Sequence, residues 1–425
     1  MYFCFWPFAL IFFIYFSHPP VEVSIMKLDE LYTDKQLIFN SPLSDICKAK
    51  PVGSSQGYVC LKIVDVDFKI PPHSIHREIK SIKRLQLGKH AGIVKYFDDF
   101  QIFDDMILVE EYYPKNLSQL LLLLPKYLRT RTRYNFAFPE QPPKYTVTNV
   151  APASEIRLFL RNVASALLFI HEHEIIHRDI KPSNIMFRMG DDLTQPVLID
   201  FGICYDYTDP PMDETRDEKY VDVSTGIYKL PELILGMTDY SYAIDVWLLG
   251  VVMTVLYSND FKSVLIKSDA SSFKSEGNGG GNGRHVDNLR EEEENKEEEE
   301  DEEEEQMSNE MAISDLHLLS CQFKCFGTPH YGCEEERKEE EERVGERRLV
   351  EMKQEDGQDD ELLWKELEKE EYHYRKFNLK RFKRKCVNEL LPLCDDEEVQ
   401  SLWLRMIRYD RCKRITSKEL YNALK

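Results

Sequence analysis

Apolar residues along this chain follow two rhythms. In the first part they alternate in short runs. Residues 36–40, 46–52 and 58–66 each read as a strand, the last with Val59, Leu61 and Ile63 on one face and Lys62 on the other. Glycines 53 and 57 bracket a turn between the second and third runs. The rhythm then lengthens. Ile75, Ile79, Ile82 and Leu85 recur at helical spacing, which predicts a helix over 75–87 with Pro72 and Ser74 at its entry and Glu78 beside its apolar face. Residues 93–97 and 106–112 predict two further strands, and 114–116 a hinge. Beyond it helices dominate. One covers 117–124. A long one starts at Glu155, carries Ile156, Phe159, Leu160, Val163, Leu167 and Ile170 inward, and gives way to the β-branched pair Ile175-Ile176. The basic, proline-bearing stretch 126–152 reads as an inserted loop. Residues 197–199 predict a short strand. Residues 243–250 form an apolar helix around a single carboxylate, Asp245, whose expected partner is the backbone of the polar loop at 177–184, since a buried charge is costly without hydrogen bonds. A helical pattern resumes over 372–425.

Charge alters this picture in one region. The 425 residues carry a net charge of −21, but residues 259–371 alone hold 37 acidic and 15 basic side chains of the chain's 76 and 55, so the remainder is within one charge of neutral. Residues 291–305 contain thirteen acidic side chains and one lysine, after a glycine-rich stretch. That composition predicts disordered, self-repelling chain, either a spacer or a docking tail for a basic partner. The expected organisation is therefore an N-terminal part to residue 113 and a larger part over 114–425, interrupted by an acidic insert at 259–310 and a charged segment at 333–371.

Residues 1–16 are almost wholly apolar and aromatic. The run is short for a membrane span, which needs about 20 residues. It also lacks the basic start and small-residue cleavage site of a signal peptide. The expectation adopted is that residues 1–25 are an extension upstream of a start at Met26. Ten cysteines are scattered without a disulfide framework, which fits a reducing compartment and a cytoplasmic or nuclear location.

The chemistry concentrates in His177-Arg178-Asp179-Ile180-Lys181-Pro182-Ser183-Asn184. A carboxylate stands two residues before an ammonium and five before a carboxamide. A second carboxylate, Asp200, follows sixteen residues after Asn184 in Ile199-Asp200-Phe201-Gly202, at the end of the predicted strand. A base, a cation, an amide oxygen and a second carboxylate suit transfer of a metal-bound phosphoryl group. Asp179 and Lys181 alone would be an ordinary surface ion pair, as would Lys62 and Glu78. The order of the whole set is what favours chemistry.

That order resembles the eukaryotic protein-kinase fold over residues 33–425, less the acidic inserts. Val59-Cys60-Leu61-Lys62, the octet 177–184, Asp200-Phe201-Gly202 and Leu230-Pro231-Glu232 carry the resemblance. It implies an α+β, bilobal architecture: a small, mostly β lobe with one helix (αC in that family) and a larger, mostly helical lobe. It implies ATP and Mg²⁺ as cofactors, with Asp200 and Asn184 holding the metal. Asp179 becomes the catalytic base, assisted by Lys181 and braced by Thr225. Lys62, positioned by Glu78, holds phosphates, and Glu111 and Tyr112 line the nucleotide site. Lys181 marks the serine/threonine class, and Glu232 is expected to pair with Arg414.

Within that family the chain is similar to the cyclin-dependent group, and 67–73, 199–206 and 224–229 are similar to the monomeric CDK-activating kinases of fungi. This implies the activation-loop threonine of a cyclin-dependent kinase as substrate. It also implies a monomer that needs no cyclin and has neither a nucleic-acid nor a membrane partner. A scaffold that binds such a kinase without efficient catalysis is the alternative, because no glycine occurs between Thr33 and Val52, where a phosphate-binding glycine loop would stand. Two further departures are Glu110 at the apolar gatekeeper position and Gly226 where the cyclin-dependent group has arginine. One of the carboxylates in 205–222 is expected to replace an activating phosphate near Arg178.

Overall fold

The computed structural model describes residues 28–53, 57–134, 136, 143–270, 313–332, 359–369, 372, 374 and 380–425. The apolar start, most of the acidic insert and the first part of the charged segment lie outside these residues.

A one-turn helix α1 (Leu28–Leu31) leads into strands β1 (Tyr32–Asn40), β2 (Asp45–Pro51) and β3 (Val59–Asp65). Helix α2 (Ile75–Gln86) follows, then β4 (Tyr96–Ile102) and β5 (Asp105–Glu111). The five strands form one antiparallel sheet in the order β1-β2-β3-β5-β4. The period of two along a strand divides its side chains between two cores. Val59, Leu61, Ile107 and Val109 pack with Tyr32 and Ala49 on one face. Met106 and Leu108 point the other way, against Ile75, Ile79, Ile82 and Leu85 of α2. Lys62 pairs in register with Leu108, and so it too faces α2. Ser74 caps α2, its hydroxyl accepting from the Arg77 N–H at 3.3 Å.

Two short strands differ from the reading of the sequence. The apolar residues Ile93 and Val94 are not a strand but a tether between the two halves: Ile93 bridges Leu198, and the Val94 N–H donates to the Leu198 carbonyl at 3.0 Å. The strand itself starts at Tyr96, and its apolar residues Phe97, Phe100 and Ile102 are interrupted by Asp98-Asp99 and a register shift, so its alternation is faint. Residues 126–152, expected to be a loop, instead carry a two-stranded ribbon of β7 (Leu128–Arg133) and β8 (Lys144–Asn149). It follows β6 (Lys115–Asn116) and α3 (Leu117–Leu123). Both ribbon strands are polar and exposed, which hides them from any search for a buried face.

The second half is built on α4 (Ala153–Glu172) and α6 (Ala243–Leu256). Every residue of α6 from Ile244 to Leu256 is buried, so its apolar character extends all round the helix, as expected at the centre of a lobe. Between these helices lie β9 (Ile175–Ile176), β10 (Ile185–Phe187), β11 (Pro196–Leu198), β12 (Tyr205–Asp206) and a short helix α5 (Pro231–Ile234). Helix α7 (Val264–Ala270) packs on α8 (Asp315–Phe326), and α9 (Glu397–Met406) and α10 (Ser417–Ala423) close the lobe. Among the described residues no helix is long and apolar enough to cross a membrane.

The boundaries drawn from charge are corrected on both inserts. Phe261 and Leu265, inside the span 259–310, are buried core residues of the helical lobe. Trp364 and Leu367, inside 333–371, are fully buried, and Trp364 stacks on Tyr409 with ring centroids 5.8 Å apart. A few large apolar anchors fix these stretches, and their charged neighbours mask them in any averaged composition.

Glu232 in α5 and Arg414 before α10 are both inaccessible and joined by two hydrogen bonds of 2.7 and 3.3 Å, with the guanidinium also over the Trp247 ring. Removing one partner strands the other charge in the core. Arg414→Met should therefore lower the unfolding free energy, measured by urea denaturation, by roughly 3–5 kcal/mol, and adding Glu232→Gln should recover part of it.

Candidate active site

The cleft between the halves gathers the polar residues that the sequence marked. Their frame begins with Asp245, fully buried in the first turn of α6. Its two oxygens accept from the backbone N–H groups of His177 and Arg178, both at 2.9 Å, and Oδ2 also lies 2.9 Å from His171 Nε2. The expected backbone partner is thus the chemical loop itself. His177 fixes the next layer. Its Nε2 lies 2.9 Å from the Ile199 carbonyl and its Nδ1 faces the Asp179 N–H, while its ring packs 4.8 Å from that of Phe201. Hydrogen bonds therefore link the loop at 177–184 to the segment at 199–201.

On this frame stand four polar side chains. Asp179 Oδ1 accepts from the Thr225 hydroxyl at 3.0 Å, and its Oδ2 lies 2.9 Å from Lys181 Nζ. Lys181 Nζ in turn donates to Thr225 Oγ1 at 2.8 Å. Asn184 Nδ2 donates to Asp179 Oδ2 and to the Asp179 carbonyl, both at 2.9 Å. That bond commits the nitrogen end of the carboxamide and leaves the oxygen end for a cation.

A second cluster faces it from the sheet. Lys62 Nζ sits 2.8 Å from Glu78 Oε2 and 2.8 Å from Asp200 Oδ1. Burial alone would push the Lys62 ammonium down, but the charges of Asp200 and Glu78 outweigh it and hold the group above its ordinary range. Asp200 shows the converse: burial raises its carboxyl, and Lys62 pulls it well below the usual carboxylate range. Asp200 is therefore an anion at neutral pH. Its backbone lies in the left-handed region (φ 62°), a conformation that ordinary side chains adopt at a cost and that functional sites retain. Burial pushes Glu78 up to about 7 despite its lysine partner.

Lys62, Glu78, Asp179, Lys181, Asn184, Asp200 and Thr225 are thus gathered into two facing clusters. Glu111 and Tyr112 lie instead at the end of β5. Glu111 accepts from the Tyr113 hydroxyl at 2.9 Å and pairs with Arg188, while the Tyr112 ring meets Tyr58 edge-on at 6.4 Å. An amide oxygen and an ionised carboxylate are hard oxygen donors of the kind Mg²⁺ prefers, so Asn184 and Asp200 fit that ion.

The tip between β1 and β2 is not built for phosphate. Ser41 Oγ accepts from the N–H groups of Leu43 and Ser44 at 3.2 and 3.1 Å, and Pro42 has no N–H to offer. The amides a glycine loop would present to a nucleotide are here consumed by the turn itself.

One position escaped assignment by number, and a second, named as a departure, has an environment the sequence did not disclose. Glu214, in the loop after β12, is wholly buried and accepts from Arg178 Nη2 at 2.6 Å and Nη1 at 3.1 Å, with Arg77 of α2 at 3.5 Å. It joins helix, chemical loop and downstream segment at one point. The sequence offered many carboxylates in that loop and no periodicity to choose among them. Arg77 was read only as part of a helix.

Glu110 is the second. It lies on β5 opposite Cys60, is buried, and its Oε1 has no hydrogen-bond partner. Burial, then the nearby charge of Glu78, pushes its carboxyl from the ordinary 4.5 up to about 8. A carboxyl that holds its proton more tightly folded than unfolded makes the native state bind more protons, so its contribution to stability falls as pH rises from about 4.5 through about 8. Glu110→Gln removes this titration. Its unfolding free energy relative to the parent should therefore climb between pH 5 and 8.5, by on the order of 3 kcal/mol in urea melts. A constant difference would contradict the buried, protonated state.

Comparison with known proteins agrees with this geometry. Residues 44–424 match the protein kinase domain family. The chain is 31% identical over 252 residues, 55% of its length, to the serine/threonine-protein kinase CAK1 of Saccharomyces cerevisiae, covering 66% of that protein. It is 34% identical over 183 residues to the serine/threonine-protein kinase ICK of Rattus norvegicus, covering 43% of this chain and 23% of that one. With cyclin-dependent kinase 2 of Caenorhabditis elegans it shares 30% over 188 residues, 44% of this chain and 43% of the other. The matched stretches span less than two thirds of each relative. With a domain match from β2 to the final helix and the motif residues assembled in one cleft, the chain belongs to the protein kinase family.

Proposed function

We propose that this protein is an ATP-dependent serine/threonine kinase whose substrate is the activation-loop threonine of a cyclin-dependent kinase. The observation that carries the reading is the position of Asp179. Its carboxylate is held by Thr225, Lys181 and Asn184 and stands across the cleft from the Lys62–Asp200 pair. Asp179 orients the substrate hydroxyl and takes its proton as the oxygen attacks the terminal phosphorus of ATP; the bond to the bridging oxygen breaks and ADP leaves. Lys181 offsets charge on the transferring group. Lys62 holds phosphate oxygens, with Glu78 keeping it in place. Asn184 and Asp200 would hold Mg²⁺, which when bound neutralises phosphate charge. Because the β1–β2 tip has no free amides to offer, these residues carry more of the positioning than a glycine loop would leave them.

The similarity to the fungal CDK-activating kinases at 67–73, 199–206 and 224–229 supports the substrate, and the 31% identity to the yeast serine/threonine-protein kinase CAK1 is consistent with it. The test is to incubate the protein with a purified cyclin-dependent kinase, ATP and Mg²⁺ and to map the product by mass spectrometry. Phosphate on the activation-loop threonine is expected. Stable binding of that kinase with no transfer would favour the scaffold reading instead.

The Arg178–Glu214 pair supports constitutive activity. A phosphate bound by such an arginine would order the loop after β12 through added charge, and Glu214 already supplies a permanent one. Phosphatase treatment should therefore leave the rate of the purified protein unchanged, whereas Glu214→Ala should lower it by roughly 10–100-fold by releasing Arg178 and the loop. Loss of activity on phosphatase treatment would overturn this assignment.

A further inference from the structure

The β7–β8 ribbon serves none of the chemistry above, and its two faces differ. Along β7, Arg129, Arg131 and Arg133 alternate, so they share a face. Their partners across the ribbon are Thr148, Thr146 and Lys144, which lie on the same side. The opposite face carries Leu128, Thr130 and Thr132 against Asn149, Val147 and Tyr145. One side of the ribbon is thus four cations and two hydroxyls. All six are exposed, and among the described residues no carboxylate pairs with any of the four cations.

Such an arrangement is unfavourable on its own. Arg133 and Lys144 stand directly opposite one another, and like charges in that position repel. A lone two-stranded ribbon is marginal in water. Packing does not relieve this, because the cationic face meets solvent.

The same chain carries a complementary charge. Residues 291–305 hold thirteen carboxylates and one lysine. The ribbon is also fastened to the chain segment that precedes α7. Asn149, the last residue of β8, donates its N–H to the Asn259 carbonyl at 2.7 Å and its side-chain Nδ2 to the carbonyls of Leu256 and Ser258, both at 2.8 Å. The ribbon's base is thus fastened to the segment that leads directly into α7. From the end of α7 at Ala270, twenty residues, 271–290, separate the helix from the acidic run. A linker of that length and glycine-rich composition spans about 25 Å on average, comparable with the roughly 20 Å length of a six-residue strand. Tethering at this distance gives an effective concentration in the millimolar range.

We propose that the cationic face of the β7–β8 ribbon is the docking surface for the chain's own acidic run, 291–305. The contact brings a strip of four cations that, among the described residues, has no carboxylate partner to a run of thirteen carboxylates. The interaction is electrostatic and exposed, so salt screens it.

Carbodiimide coupling of the full chain at about 50 mM salt, read by mass spectrometry, tests it, since the reagent joins only amines and carboxylates in direct contact. The expected result is coupling of Lys144 to carboxylates within 291–305 in the monomer fraction, lost at about 0.5 M salt and in Arg129→Glu/Arg131→Glu/Arg133→Glu. A second measurement does not depend on the ribbon variant folding. Replacing the thirteen carboxylates by their amides should speed tryptic cleavage after Arg129, Arg131 and Arg133 by roughly tenfold at low salt, and leave it unchanged at high salt. Coupling of 291–305 to Lys144 no more often than to other exposed lysines, or coupling found only between two copies, would overturn the proposal. So would cleavage rates indifferent to the acidic run. None of these readouts involves phosphate transfer, so the kinase assignment stands or falls separately.

Discussion

A charge at the centre of an apolar helix is the constraint on which this protein turns. Asp245 lies in a helix buried on all sides, where an ionised carboxylate is tolerable only if its oxygens are satisfied. They are satisfied by the backbone of His177 and Arg178. The cost of burying the charge is thereby converted into a fixed position for a loop that has almost no regular structure of its own. Everything at the site inherits that position. His177 passes it to Phe201 and so to Asp200; Arg178 passes it to Glu214 and the loop after β12; Asp179 receives it directly. The rest of the helical lobe, including the Glu232–Arg414 pair, keeps α6 dry.

The sheet meets this frame through one lysine. The alternation of β3 turns Val59 and Leu61 to one core and Lys62 to the cleft, where Glu78 and Asp200 bind it from opposite sides. The two clusters need each other electrically. Without Lys62, Asp200 and the buried Glu78 would be two neighbouring like charges, and Glu110 beside them is already pushed up to about 8. Lys62 sets the charge of the cluster on the sheet side, where the carboxyl groups of Glu78, Asp200 and Glu110 crowd one ammonium.

Much of the site was legible because chemistry fixed both residue type and spacing. The octet 177–184, Asp200 after its strand, the lysine in β3 and the glutamate in α2 each had a recognisable local context. The buried role of Asp245 followed from a lone charge in an apolar run, while that of Glu232 was implied only by the family resemblance. What the sequence hid has physical reasons too. β7 and β8 bury no face, so no alternation of apolar residues announced them. β4 has its alternation broken by Asp98-Asp99, while its apolar forerunner Ile93-Val94 belongs to an inter-lobe tether. Trp364 and Phe261 disappeared into acidic averages. Glu214 was one carboxylate among many until the fold brought Arg178 and Arg77 to it.

The central claim is that the loop suspended from Asp245 presents Asp179 as the base for phosphoryl transfer. Single-turnover transfer from ATP to a purified cyclin-dependent kinase, comparing the parent with Asp179→Asn, tests it most directly. The substitution keeps the shape and the contacts to Thr225 but removes the proton acceptor. A fall in the transfer step of roughly 10²–10⁴-fold with ATP binding unchanged is the predicted result. Equal rates for the two proteins would contradict the account.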